Sequence, residues 1–178
     1  MEDLIKISGV VKESIVDGPG LRYVVFTQGC PHHCEGCHNP QTHDFEGGKY
    51  TKVTDIVKDI EKNPLLRGVT ISGGEPFMQA NQASKIIESI DRSKYDVMTY
   101  TGFEFEYLLK NANEENGYLR LLKNTDILID GKFDINKKSA LALFRGSTNQ
   151  RAIDVPMSLK TGDVCLYDFE KRKAVCNV

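Results

Sequence analysis

The sequence predicts an α/β domain with parallel strands, and three observations predict it. Short apolar runs alternate with stretches whose apolar residues recur at helical spacing. The run Tyr23-Val24-Val25-Phe26 is nearly continuous, as in a strand buried on both faces of a parallel sheet. Polar or glycine-rich loops follow four of the strands, at the ends where such sheets collect ligands.

Taken in order, residues 4–16 alternate weakly and read as an opening strand or hairpin. Asp17-Gly18-Pro19-Gly20 then breaks the chain, two glycines flanking a proline of fixed φ; by itself this is a turn. Residues 22–28 form a strand. Val53, Ile56, Val57 and Ile60 mark a helix, with Thr51 or Thr54 as N-cap and a stop by Asn63-Pro64. Residues 68–72 form a short strand, followed by Gly73-Gly74-Glu75-Pro76. Ala83, Ile86, Ile87 and Ile90 mark a second helix, and residues 95–100 a strand ended by Thr101-Gly102. A third helical region carries Phe105, Leu108 and Leu109; residues 111–117 interrupt it, and Leu119, Leu121 and Leu122 add another turn or two. Residues 126–130 form a strand ended by Gly131-Lys132. Residues 145–151 are polar, and 152–155 make a last strand. Residues 162–178 read as a β-hairpin, with Cys165 and Cys176 facing each other as structural thiols.

The chemistry concentrates in Gly29-Cys30-Pro31-His32-His33-Cys34-Glu35-Gly36-Cys37-His38, where three cysteines are spaced C-x3-C-x2-C. One loop can wrap Cys30, Cys34 and Cys37 round a single centre. Each iron of a cubane cluster normally takes one thiolate, so three thiolates leave one iron open to a substrate. A structural zinc site wants four closed ligands; His32, His33, His38 or His43 would have to supply the fourth, and no second pair is well placed. Inert thiols are the third reading, and spacing alone leaves all three open.

The other loops have two readings each. Gly73-Gly74-Glu75-Pro76 can offer bare backbone to a ligand, with Glu75 taking a cationic amine, or it is a tight turn with a solvated glutamate. Asp130 and Lys132 can hold a ribose hydroxyl and a carboxylate, or they are a surface ion pair. No G-x4-G-K-[ST] or G-x-G-x-x-G pattern supports a nucleoside triphosphate site.

Composition narrows the classes. The 178 residues are 40% hydrophobic and 27% charged, enough for one core-forming domain. A net charge of −2 gives no reason to expect nucleic acid or an anionic membrane as partner. No apolar run approaches a membrane span, and Met1-Glu2-Asp3-Leu4 is acidic where a signal peptide is basic. A cytoplasmic protein with reduced thiols is expected.

With the cysteine loop and Gly73-Gly74-Glu75-Pro76 together, the chain resembles the radical S-adenosylmethionine superfamily. Within it the chain is most similar to the small activating enzymes of anaerobic (class III) ribonucleoside-triphosphate reductases. The resemblance is carried by Asp17-Gly18-Pro19-Gly20-x-Arg22, the cysteine loop through Asn39, Ser72-Gly73-Gly74-Glu75-Pro76, Tyr100-Thr101-Gly102, Ile129-Asp130-Gly131-Lys132-Phe133 and Arg145-Gly146-Ser147-x-Asn149-Gln150-Arg151, in the family's order. Gly36 stands where the superfamily often has an aromatic residue, as is common in the reductase-activating branch.

The resemblance implies a partial, open β/α barrel of mostly parallel strands with a C-terminal β-hairpin. It implies one domain, with the motifs within 17–156 and a tail at 157–178 that matches no motif. Cys30, Cys34 and Cys37 would bind three irons of a 4Fe-4S cluster, and the open iron would chelate S-adenosyl-L-methionine. Gly36, Cys37 and His38 would line its adenine, Gly74 would meet its methionine moiety, and Gly73, Glu75, Tyr100, Thr101, Asp130 and Lys132 would complete the site. One electron, from a flavodoxin- or ferredoxin-type donor, would release methionine and a 5′-deoxyadenosyl radical. That radical would take a hydrogen from a glycine of the reductase. The docking face is expected around the cysteine loop and residues 145–151, where arginines can grip a partner. Three alternatives are an activase of another glycyl radical enzyme, a small-molecule enzyme of the 7-carboxy-7-deazaguanine synthase type, and a non-enzymatic electron-transfer or zinc module.

Overall fold

The computed structural model describes residues 3–176. In chain order its elements are β1 (Leu4–Ser14), β2 (Arg22–Thr27), β3 (Lys49–Lys52), α1 (Val53–Glu61), β4 (Gly68–Gly73), α2 (Ala80–Glu88), β5 (Asp96–Tyr100), α3 (Phe105–Lys110), α4 (Tyr118–Lys123), β6 (Ile127–Asp130), β7 (Arg151–Asp154), α5 (Val155–Thr161), β8 (Cys165–Asp168) and β9 (Lys173–Cys176). The strands form one mixed sheet in the order β3-β1-β2-β4-β5-β6-β7-β8-β9.

The parallel part is confined to β2, β4, β5 and β6. Every pairing outside those four is antiparallel. The expectation of mostly parallel strands is corrected accordingly. Helical crossovers link the parallel strands β2, β4, β5 and β6, whereas β1 to β2, β6 to β7 and β8 to β9 return without an α-helix and pair antiparallel; β7 and β8 are antiparallel neighbours with the short α5 between them.

The sheet divides its side chains by the strand period of two. Tyr23, Val25, Val69, Ile71, Val97, Leu128 and Ile153 pack into the main core with the helices. Against them α1 buries Val53, Ile56, Val57 and Ile60, and α2 buries Ala80, Ala83, Ile86 and Ile87. The opposite face holds a smaller cluster of Met98, Ile127, Ile129 and Ala152, covered by Tyr100, Phe144, Tyr167 and Phe169.

Arg22 enters that second face and is fully buried. It donates to Thr70 Oγ1 at 2.7 Å, Asp96 Oδ1 at 2.5 Å, Val69 O at 2.8 Å and Pro19 O at 3.2 Å. Thr70 Oγ1 in turn donates to Asp17 O at 2.8 Å. Arg22 therefore ties the 17–20 turn under the sheet, which satisfies a buried charge that would otherwise be costly.

Several local expectations change. Neither Thr51 nor Thr54 caps α1: Lys52 holds the N-cap position and its side chain makes no capping hydrogen bond, and Thr51 pairs with Ile5 in the edge strand β3. Cys165 and Cys176 are not free thiols. Their strands pair them directly, Cα to Cα 4.2 Å, and they form a disulfide. The C-terminal hairpin is present as β8 and β9, while Asn177 and Val178 of its expected arm lie outside the described residues, as do Met1 and Glu2.

Candidate active site

The cysteine loop leaves the C-terminal end of β2 and is closed at its neck. Gly29 N–H donates to Thr42 O at 2.8 Å and Cys30 N–H to His43 O at 3.2 Å. Thr42 Oγ1, buried, donates to Asn39 O at 2.7 Å. Gln28 Nε2 braces the neck from below through Gln41 O and Asp44 O, at 3.1 and 2.7 Å. The loop thus has its own scaffold, apart from any ligand.

Cys30, Cys34 and Cys37 carry free thiols and share the walls of one cavity of about 470 Å³. Of the other residues expected at the site, His38, Gly73, Gly74, Tyr100 and Thr101 also line it. Burial pushes the Cys30 and Cys34 thiols above their ordinary range. Among the described residues no three His, Cys, Asp or Glu side chains converge on a point fit for a metal ion. Zinc would need its sulfurs within roughly 4 Å of one another, from Zn–S bonds of about 2.3 Å. Irons at separate corners of a cubane ask only that the thiols face a shared volume. The donor set fits the cluster better than the ion. Arg145 Nε and His43 Nε2, buried at the same walls without partners, leave polar capacity for a ligand.

Glu75 is fully buried and does not line the cavity. Its Oε1 accepts from Phe77 N–H at 3.0 Å and Thr101 Oγ1–H at 2.9 Å. Its Oε2 accepts from Gly102 N–H at 2.9 Å and lies 2.7 Å from His32 Nε2. The expected grip on a ligand amine is replaced by a structural role: this carboxylate joins the cysteine loop, its own loop and the loop after β5. His32 reaches it with its ring edge-on to Phe103, centroids 4.6 Å apart, and a side chain on Gly102 would strike that ring. His32 was legible in the sequence only as a spare zinc ligand, and nothing local points to Glu75.

Gly74 is a site of close approach, as expected, but what approaches is protein. A Cβ there would run into Gly29 O and come within 2.9 Å of Gly29 C. Glu75 N–H donates to that same Gly29 O at 2.8 Å. Gly36, at φ 69°, turns its missing side chain toward Ile135 Cδ1, 2.6 Å from where a Cβ would stand, and lies outside the cavity lining.

Asp130 and Lys132 border one pocket, apart from the cavity that the cysteines share. Asp130 is buried and accepts from Phe105 N–H at 2.8 Å, at the start of α3, and from Arg151 Nε at 3.0 Å. Lys132 is exposed and shares that pocket with Glu104, Tyr107, Asn149 and Arg151 as well. Arg151 is also bound to Glu106 at 2.6 and 2.9 Å, so it is spent within the fold rather than free for a partner. A further cavity, about 530 Å³, opens at the N-terminal ends of β4, β5 and β6 beside Arg67, Asp96 and Asp126, and no cysteine lines it.

The 4Fe-4S single cluster domain family matches residues 16–153. The anaerobic ribonucleoside-triphosphate reductase-activating protein of Enterobacteria phage T4 is 33% identical over 143 residues, 76% of this chain and 85% of that protein. Its counterparts in Vibrio cholerae serotype O1 and Escherichia coli K12 are each 32% identical over 145 residues, again 76% of this chain, and 89% and 90% of those proteins. Among solved structures, QueE from Escherichia coli aligns with a TM-score of 0.44 and 16% identity, over 56% of this chain and 53% of that one. A third of the residues held in common across nearly the whole length of such relatives, with the cluster domain spanning the three thiols, decides the matter: the chain belongs to the family of anaerobic ribonucleoside-triphosphate reductase-activating proteins.

Proposed function

We propose that this protein generates a glycyl radical in an anaerobic ribonucleoside-triphosphate reductase, using a 4Fe-4S cluster and S-adenosyl-L-methionine. The observation that carries the reading is the sharing of one cavity by Cys30, Cys34 and Cys37 at the C-terminal ends of parallel strands. Cys30, Cys34 and Cys37 would hold the cluster, one iron each. His38, Gly73, Gly74, Tyr100 and Thr101 would border the S-adenosylmethionine, and Arg145 would offer its unspent donor to the ligand's anionic end. When bound, the two cofactors supply a one-electron cleavage to methionine and a 5′-deoxyadenosyl radical, which takes a hydrogen atom from the glycine. The chain's own task is to hold its loops still, which Glu75, Arg22 and Asp130 do from behind the cavity wall. No residue need act as a base, because the transfer is homolytic.

The remaining parts of the reading fit this core. We take residues 3–176 as one domain, supported by the single continuous sheet. An open β/α barrel is supported by four parallel strands with helices packed on one face and the cavity at their C-terminal ends. Among the described residues no helix is long and apolar enough to cross a membrane. A cytoplasmic location and a flavodoxin- or ferredoxin-type donor suit chemistry that needs a low-potential electron.

Electron paramagnetic resonance tests the reading. The reconstituted protein, reduced and given S-adenosylmethionine, should cleave it slowly alone and raise a stable glycyl radical signal once the reductase is added. Stoichiometric turnover of a small substrate, with no radical on the reductase, would instead establish the small-molecule enzyme.

A further inference from the structure

The cavity mouth is bordered by a loop whose outward side chains are apolar. Residues 138–147 leave and re-enter through a narrow neck, closed by the Lys138–Ser147 bridge and by Ser139 N–H donating to Gly146 O at 3.2 Å. Between the ends runs Ser139-Ala140-Leu141-Ala142-Leu143-Phe144, without a charge. Ser139, Ala140, Ala142 and Phe144 line the cavity, while Leu141 and Leu143 are 92% and 48% exposed. Tyr100 Oη–H, donating to Phe144 O at 2.7 Å, fixes the loop to the end of β5.

A second apolar edge faces the same mouth from the other end of the chain. Val16 lines the cavity, and Ile15 and Val16 are 74% and 73% exposed. Three of the four most exposed large apolar side chains among the described residues, Leu141, Ile15 and Val16, thus stand at or next to one opening. Single exposed leucines are ordinary, but an uncharged run with its leucines in solvent is costly in solubility unless something covers it.

We propose that the 139–144 loop and the Ile15-Val16 edge form the docking rim for the reductase, seating apolar side chains of its surface beside the radical-bearing glycine. The inference rests on the activase reading. A glycine held within another protein's backbone can reach the cavity only if that protein's surface meets this mouth. The most exposed apolar side chains beside it, Leu141, Leu143, Ile15 and Val16, are aliphatic. The arginines expected to grip the partner are otherwise engaged: Arg151 is bound to Asp130 and Glu106, and Arg145 is turned into the cavity wall. Affinity for the reductase should therefore hold as ionic strength rises, where arginine-led docking would weaken.

The test uses the reconstituted holoenzyme and the whole reductase. Leu141→Asp, Leu143→Asp and the double variant are compared with wild type and with Leu141→Met. None of these side chains lines the cavity, and Leu141 is almost wholly exposed, so iron content, S-adenosylmethionine affinity and uncoupled cleavage should stay at wild-type level. Reductase affinity should fall about tenfold or more in the double variant, with a matching loss of glycyl radical, and Leu141→Met should bind as wild type does. Unchanged reductase affinity in the double variant, with wild type active, would overturn the rim and leave the activase reading standing. A wild type that raises no radical on the reductase would overturn that reading and the rim with it. If the substitutions instead dissolve a dimer seen by sedimentation, with reductase affinity intact, the rim seats a second copy of this chain and the proposal fails.

Discussion

Replacing Glu75 by Gln removes a charge and almost no volume, and its effect can be worked out bond by bond. The carboxylate has about four lone-pair sites, and all four are taken. Two of the donors are main-chain N–H groups that cannot turn away, Phe77 on Oε1 and Gly102 on Oε2. Whichever way the glutamine amide is set, its NH2 confronts one of them. One charge-assisted bond is lost, about 1.5–3 kcal/mol, and one buried N–H is left without an acceptor, about 1–3 kcal/mol. The amide recovers about 1 kcal/mol by donating to Thr101 Oγ1 or His32 Nε2. The net expectation is about 1.5–5 kcal/mol of lost stability, a large share of the ~5–15 kcal/mol usual for a domain.

Urea unfolding of the metal-free protein, followed by circular dichroism under anaerobic conditions, measures that loss. His32→Ala supplies the control, since it removes a single partner from Oε2. The two substitutions should couple by about 0.5–2 kcal/mol in a double-mutant cycle, because they act on one network. Glu75→Gln should also retain less iron after reconstitution, as the cysteine loop loses its tie through His32. A Glu75→Gln protein within about 0.5 kcal/mol of wild type would refute the reasoning, for it would mean that the carboxylate carries no net share of the loop assembly.

Cys30→Ala, Cys34→Ala and Cys37→Ala should each fall short of the roughly four irons per chain expected of a cubane, while Cys165→Ser and Cys176→Ser, away from the cavity, should keep that count; full cluster-dependent activity without Cys34 would end the assignment. Gly74→Val should weaken S-adenosylmethionine binding about tenfold and lower iron retention with it, because the new side chain drives the loop off Gly29; an equilibrium titration with unchanged affinity would show that the loop tolerates the shift. Arg151→Ala should cost about 2–3 kcal/mol, below the range for a fully buried pair because the arginine is one-third exposed, and urea unfolding reads it directly. The Arg151 guanidinium also holds the Glu106 carboxyl below its ordinary 4.5, so that share of stability is present above pH 4.5 and lost as pH falls through the lowered value. Stability measured against pH should show this acid-side loss shrinking in Arg151→Ala.

The reactive face of the site was legible because its chemistry is local. Cys30, Cys34 and Cys37 lie within eight residues, and their spacing alone says that one loop can present them together. Gly73 and Gly74 were legible as a place where backbone comes close, since glycine's bareness shows in any context. What approaches was not legible: Gly29 is forty-five positions earlier, and only the parallel pairing of β2 with β4 brings it there. The same holds for the carboxylates. Asp130 stands opposite Arg151 because β6 and β7 are antiparallel, a register that apolar periodicity does not encode. Ribose binding was therefore an allowed reading of the residue type, although its acceptors face Arg151 and the start of α3.

Glu75 makes the general point. Its residue type permits a grip on a cationic amine, and its place after a strand end invites one. Its partners lie 2, 26, 27 and 43 residues away, and together they exhaust its capacity. An amine entering the cavity must then be held by acceptors other than this carboxylate. A carboxylate that spends every lone pair on the protein cannot also recognise the ligand. Its loss should loosen all three loops at once, and a ligand contact would be lost only as a consequence.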